Sequence, residues 1–150
     1  MAIATIRAAE LADIDQITPM FEWLFEPPGS QPPRWDPQRA AAAIGGVVSS
    51  DNAVVLIALS EAQFVGPCTA YDDIDSVRFG RRIWVEDLAV HPEYRSRGIG
   101  KRLLDEAKRW GHARGATRLQ LDSSETRTDA HRFYEREGPD WRSSCFGWWL

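Results

Sequence analysis

One stretch limits the possible folds more than any other: an apolar run from Ile83 to Val90, then Arg95-Ser96-Arg97-Gly98-Ile99-Gly100, then a helical pattern from Ile99 to Ala113. Strand, glycine turn and helix in that order make a natural anion cradle. Gly98 and Gly100 lack a Cβ, so their backbone can take unusual dihedrals and approach a ligand closely. The first N–H groups of the new helix have no acceptor within it and sit at the positive end of its dipole, which suits a phosphate or diphosphate. Arg95, Arg97, Lys101 and Arg102 add charge around the turn, where an ionised hydrogen bond is worth about 1.5 to 3 kcal/mol. Two glycines before a helix are usually no more than a tight connection, so the surroundings must decide. Gly-x-x-x-x-Gly-Lys-Ser/Thr is absent, and a dinucleotide fingerprint would need a third glycine and an acid on the following strand.

A chain of 150 residues suits one domain, 1–150, with a core of its own. Hydrophobic residues at 43% and charged residues at 27% are ordinary for a globular protein. No apolar run reaches the roughly 18 residues of a membrane span, and the opening residues lack the apolar core of a secretion signal. The expectation is a cytoplasmic protein without membrane association. Cys68 and Cys145 are too few for a disulfide framework and fall in no metal-ligand pattern, so no metal is expected. The net charge of −4 is unevenly spread. Residues 95–118 hold eight Lys/Arg against Asp105 and Glu106, or +6, which leaves −10 on the rest. A basic patch at the turn fits a multiply charged cofactor, and the acidic remainder fits a cationic small molecule rather than nucleic acid.

Periodicity predicts a first strand over 2–8, with Ile3 and Ile6 as core candidates, then a helix carrying Leu11, Ile14, Ile17, Phe21 and Leu24, bent or divided at Pro19. Four prolines within 26–35 enforce a loop. Asp36 as N-cap and Pro37 at the first helical position start a second helix that buries Ala40, Ile44 and Val47. Extended patterns over 53–59 and 64–70 read as a hairpin, followed by a strand over 82–90. The next helix has Ile99, Leu103, Leu104, Ala107 and Trp110 on one side and Gly115 at its end, and Leu119 and Leu121 mark a parallel strand beyond it.

Arg-x-x-Gly-x-Gly directly after Leu88-Ala89-Val90-His91-Pro92, with Asp129-Ala130-His131-Arg132-Phe133-Tyr134-Glu135-Arg136-Glu137-Gly138 some thirty residues later, resembles the GNAT superfamily of N-acetyltransferases. The resemblance covers 53–138, the expected cofactor core. It implies an α/β fold: a mixed, mostly antiparallel sheet with a splayed parallel pair in the middle, flanked by about four helices. It also implies acetyl-CoA (coenzyme A) as acyl donor and direct transfer to an amine with no covalent enzyme intermediate. Backbone groups of Leu88, Ala89 and Val90 would hold the pantetheine arm and the acetyl carbonyl. The turn Arg95, Ser96, Arg97, Gly98, Ile99, Gly100 and Lys101 would hold the diphosphate, with Asp129 standing where many relatives place a cofactor-contacting asparagine. Tyr134 would be the general acid that protonates the departing thiolate, since a phenol of pKa about 10 is protonated at neutral pH. Glu86 or Asp87 would take the amine's proton. Strand alternation admits only one of them unless a bulge intervenes, and Glu86 shares parity with Leu88 and Val90.

The acceptor is expected among acids and aromatics: Glu22, Glu26 and Trp35 around the proline loop, and Asp72 and Asp73 before the central strand. Carboxylates pair with ammonium groups while indole faces cover sugars or cations. Such a lining resembles that of aminoglycoside acetyltransferases, and the Pro-Pro-Gly segment with a Trp-rich end is similar to the kasugamycin-type group. The implied acceptor is a small cationic amine, an aminoglycoside antibiotic foremost, with a protein amino group, another small amine or a non-catalytic acyl-CoA sensor as alternatives. Residues 141–150 leave room for one terminal strand. Their load of Trp141, Phe146, Trp148 and Trp149 suggests a cover for the acceptor site or a homodimer contact.

Overall fold

The computed structural model describes residues 3–150. Its order is β1 (Thr5–Ala8), α1 (Ile14–Ile17), α2 (Pro37–Val48), β2 (Ala53–Ser60), β3 (Gln63–Ser76), β4 (Gly80–Leu88), α3 (Ile99–Ala113), β5 (Arg118–Leu121) and α4 (Thr128–Arg136), with short 3-10 turns at 11–13, 18–25 and 92–94. The five strands form one sheet in the order β1-β2-β3-β4-β5. The first four pair antiparallel and β5 joins β4 in parallel. A hairpin needs only a tight turn, whereas the parallel partner requires the crossover through α3.

Alternation along β2 divides the core in two. Val54, Leu56 and Ala58 face α3 and pack with Val85, Ile99, Leu103 and Ala107. Val55 and Ile57 face the other way, against Ile17, Met20 and Ile44 beneath α1 and α2. Each fully buried Ile or Leu stabilises the fold by about 1.5 to 3 kcal/mol. α3 lies so close to the sheet that a Cβ on Gly111 would come 2.5 Å from Ile83 Cγ1, so a glycine is needed there. Asp36 caps α2 by accepting the Gln38 N–H at 2.9 Å, and Gly115, with φ 80°, ends α3 in the left-handed region.

Several expectations are corrected. The first strand is shorter and Ile3 is exposed, while Ala4 supplies the buried residue; Ala2 lies outside the described residues. The helix expected from Leu11 to Leu24 survives as one α-turn between 3-10 segments, because Pro19 brings no N–H and Thr18 bonds its hydroxyl back to the Ile14 carbonyl at 2.8 Å. β3 runs on to Ser76, so most of the expected connection over 72–81 is strand. Residues 141–150 form no strand. The parallel pair β4–β5 therefore closes one end of the sheet instead of lying in its middle.

Candidate functional site

β4 and β5 stay paired only from Arg82–Arg118 to Val85–Leu121. Beyond that point β4 remains fastened to β3, with Ala89 N–H on the Pro67 carbonyl at 3.1 Å and His91 N–H on the Val65 carbonyl at 2.9 Å. On the side that β5 has left, the Val90 N–H has no acceptor among the described residues. The result is a wedge with a polar backbone edge, open between two strands that are neighbours at one end only.

The glycine turn sits at the tip of this wedge. Ser96 (φ 62°) and Gly98 (φ 79°) both take left-handed backbone, and Gly98 stands directly before α3. The helix's first closing bond is Arg102 N–H to the Gly98 carbonyl, so the amides of residues 96–101 are left without an acceptor among the described residues. A Cβ on Gly100 would stand 3.4 Å from Phe133 Cζ, an ordinary contact distance, which shows that α3 passes close to the Phe133 ring of α4 here. Unpaired amides, left-handed turn residues and two exposed arginines fit a diphosphate. Arg97 lies over the Tyr94 ring at 4.9 Å, and the Arg95 Nε donates to the Val90 carbonyl at 3.1 Å. Ile99 is buried in the core, so any contact it makes is through its backbone. Lys101 turns away from the tip, donating to Asp105 at 3.0 Å and Glu137 at 3.2 Å. Asp129 is exposed and bonded to Arg132, not aimed at the wedge.

Parity along β4 does not hold. Ala70 pairs with Val85 and Thr69 with Asp87, leaving Glu86 as the extra residue of a β-bulge. Val85 and Leu88 therefore both face α3, while Asp87 turns to the opposite face beside Thr69. Glu86 is exposed, and its Oε2 accepts the Trp84 Nε1–H at 2.5 Å. Asp87 is mostly buried, with Oδ2 accepting the Thr69 hydroxyl at 2.8 Å, and no arginine or lysine pairs with it. Burial raises its carboxyl above the ordinary range; the Thr69 bond opposes that rise and the Glu86 charge adds to it. Tyr71, half-buried, has its phenol pushed up by desolvation and by the charges of Asp87 and Glu86, which lie within electrostatic reach of it.

Tyr134 lies on α4, within electrostatic reach of Cys68 on β3 and of Arg127. Its hydroxyl bonds to nothing among the described residues, its ring tilts against Phe133 at 5.0 Å, and burial pushes its phenol up to about 12. Cys68 lies within electrostatic reach of both Tyr134 and Asp87, and its thiol is likewise pushed up to about 12 by burial. A thiol in that state is neutral and packs as a small apolar group.

The residues expected to line the acceptor site are only partly brought together. Asp72 is tied to Arg114 at 3.2 Å and Arg81 at 3.5 Å, and Asp73 to Arg82 at 2.6 Å, so both already have cationic partners. Glu26 pairs with Arg95 at 3.5 Å, Trp35 packs edge-on against Phe25 at 4.8 Å, and Glu22 is exposed with no ion pair. The proline loop is nevertheless near the wedge, because the Arg127 Nη2, just before α4, donates to the Leu24 carbonyl at 2.9 Å. Gly29 makes room for this: a Cβ there would meet Leu24 O at 2.2 Å and Arg127 Nη2 at 2.7 Å. Thr69, Tyr71 and Arg127 were not found from the sequence, since each matters through a partner distant along the chain.

Comparison with known proteins agrees with this geometry. The family described as Acetyltransferase (GNAT) family matches residues 14–138. The chain is 32% identical over 133 residues to the Uncharacterized N-acetyltransferase YhfO of Bacillus subtilis (strain 168), covering 89% of this chain and 87% of that one. Among solved structures, the aminoglycoside N-acetyltransferase AAC(6')-Iy in complex with CoA superposes with a TM-score of 0.84 at 18% identity, over 100% of this chain and 96% of that chain. The ribosomal-protein-alanine N-acetyltransferase from Brucella melitensis biovar Abortus 2308 does so with a TM-score of 0.73 at 23% identity, over 97% and 100%. The match over 125 of 150 residues and the like fold lead to one conclusion: the chain belongs to the GNAT family and is an acetyl-CoA-dependent N-acetyltransferase.

Proposed function

We propose that the acceptor is a primary amine of a small cationic molecule, an aminoglycoside foremost. One observation carries this: Asp72, Asp73 and Glu26 are neutralised by arginines, whereas Glu86 and Asp87 have no cationic partner among the described residues where β5 leaves β4. Trp84 bonds to Glu86, and Tyr71 lies within electrostatic reach of both. Two unneutralised carboxylates with aromatic neighbours favour an ammonium group, and indole and phenol faces suit a sugar ring. A fold shared with an aminoglycoside acetyltransferase is consistent with this choice of acceptor.

Acetyl-CoA supplies the acetyl group as a thioester, and the chain's own groups do the rest. An alkylammonium of pKa about 10 must lose a proton, which costs about 4 kcal/mol at pH 7. Asp87 is the acceptor we assign, with Glu86 drawing the cation to the bulge. The amine nitrogen bonds to the carbonyl carbon while the carbon–sulfur bond breaks. The Val90 N–H is free to donate to the carbonyl oxygen as charge gathers there, an interaction worth about 3 to 4 kcal/mol. The Tyr134 hydroxyl gives its proton to the departing sulfur. Thiol release from acetyl-CoA across a panel of aminoglycosides, polyamines and peptides with free amino termini tests this proposal. Turnover with aminoglycosides at least tenfold above the rest is expected, and selective turnover of the peptides would overturn it.

We also assign residues 141–150 to a contact with a second copy. Trp148 is 83% exposed and Trp149 100%, beside Phe146 and Leu150. Large apolar side chains exposed so close together in the chain favour an interaction surface. Light scattering is expected to show a dimer that becomes a monomer when these ten residues are removed. A monomer in both cases would dismiss the contact.

A further inference from the structure

We propose that Thr69 is the positioning residue that presents Asp87 Oδ1 to the incoming amine, an inference that rests on Asp87 as proton acceptor. The Thr69 side chain is almost fully buried at 3% exposure and makes two bonds to one residue. Its hydroxyl donates to Asp87 Oδ2 at 2.8 Å and accepts the Asp87 N–H at 3.0 Å.

The bulge makes this arrangement necessary. Between β3 and the end of β4, His91 and Ala89 send their N–H groups to the carbonyls of Val65 and Pro67. Asp87 is next in that alternation, opposite Thr69, but the extra residue Glu86 displaces the chain just before it. The Thr69 hydroxyl reaches across and takes the Asp87 N–H. A hydroxyl has a single proton. With the Asp87 N–H occupying one of its lone pairs, the proton is directed at Oδ2. Oδ1 is then left without a partner among the described residues, and the carboxylate cannot rotate without losing its bond. One threonine therefore holds the bulge in place and selects which oxygen faces the substrate.

The charged and titratable surroundings of Asp87 are Glu86 on its own strand and Cys68 and Tyr71 on β3. None of these is a cation. The Thr69 bond is the one polar contact that favours the ionised carboxylate against burial and the Glu86 charge.

Thr69→Val keeps the shape and removes the hydroxyl, and Thr69→Ser keeps the hydroxyl. Two readouts decide. The first is a carbon-13 NMR titration of the Asp87 carboxyl in the free enzyme. Its midpoint is expected to move to higher pH in T69V and to stay near wild type in T69S. The second is acetyl transfer to sisomicin and to spermidine. In T69V, kcat is expected to fall by about tenfold to a hundredfold, with the acid limb of its pH profile displaced upward and KM for acetyl-CoA unchanged. Should T69V not fold, T69A serves both measurements. A T69V enzyme with wild-type titration and rate, or a T69S enzyme as impaired as T69V, would overturn the inference. D87N is measured alongside: wild-type turnover in D87N would overturn the role of Asp87 itself, whereas collapse of D87N with an unaltered T69V would overturn Thr69 alone.

Discussion

Replacement of Asp87 by Asn is expected to lower kcat/KM by about a hundredfold to ten-thousandfold while making the protein more resistant to heat at neutral pH. The two effects have one origin. Asp87 is mostly buried, and burial holds its carboxyl above the ordinary carboxylate range. A group whose folded pKa is raised contributes stability when protonated, below its unfolded pKa, and loses that contribution as pH rises through the folded value. At neutral pH the wild-type fold carries a buried, cation-free charge, and the amide variant does not. Asn also keeps an oxygen for the Thr69 hydroxyl. The thermal midpoint of D87N should therefore exceed that of wild type at pH 7, and the difference should close below about pH 4. Thermal melts at both pH values and steady-state kinetics check it. Glu86→Gln is the control: Glu86 is exposed and bonded to Trp84, so its loss should weaken acceptor binding and spare kcat. A D87N enzyme that turns over within threefold of wild type would remove Asp87 from the chemistry.

Tyr134→Phe is expected to lower kcat by about a hundredfold or more, with acetyl-CoA affinity nearly unchanged. The variant deletes one hydroxyl that bonds to nothing among the described residues, so the fold should not notice. The pH dependence separates this acid from others. Burial pushes the Tyr134 phenol up to about 12, so it stays protonated through the range in which a free amine becomes abundant. Wild-type kcat should then rise from the acid side through the Asp87 ionisation and show no fall near pH 10 from loss of the acid. A basic limb near 10 that vanished in Y134F would contradict a phenol held so high, and unchanged kcat in Y134F would dismiss the residue from the chemistry.

The cofactor half of this molecule could be read along the chain because its determinants are local. A strand, a turn with Gly98 and Gly100, and a helix with Ile99, Leu103 and Ala107 on one side fall within thirty residues, and each is dictated by near neighbours. Tyr134 was singled out only by the resemblance of its Phe-Tyr-x-x-x-Gly segment to the family. The acceptor half could not be read in this way. Alternation gave Glu86 the parity of Leu88 and Val90, and one inserted residue, recognisable only from the register against β3, breaks that parity. Asp72 and Asp73 looked available because Arg81, Arg82 and Arg114 become their partners only when strands and helix meet. The aromatic tail shows the same limit from the other side: it has room for a strand, but among the described residues no strand pairs with it.

The proline loop is fastened by two arginines, Arg95 beside the glycine turn and Arg127 at the entrance to α4. Both anchors lie outside the loop, and the Arg127 bond reaches a main-chain carbonyl, indifferent to the side chains the loop carries. Residues 30–35 can therefore be rewritten, lengthened or exchanged with those of a cousin while their mooring points stay where they are. A lineage built on this plan can change its clientele without rebuilding its engine.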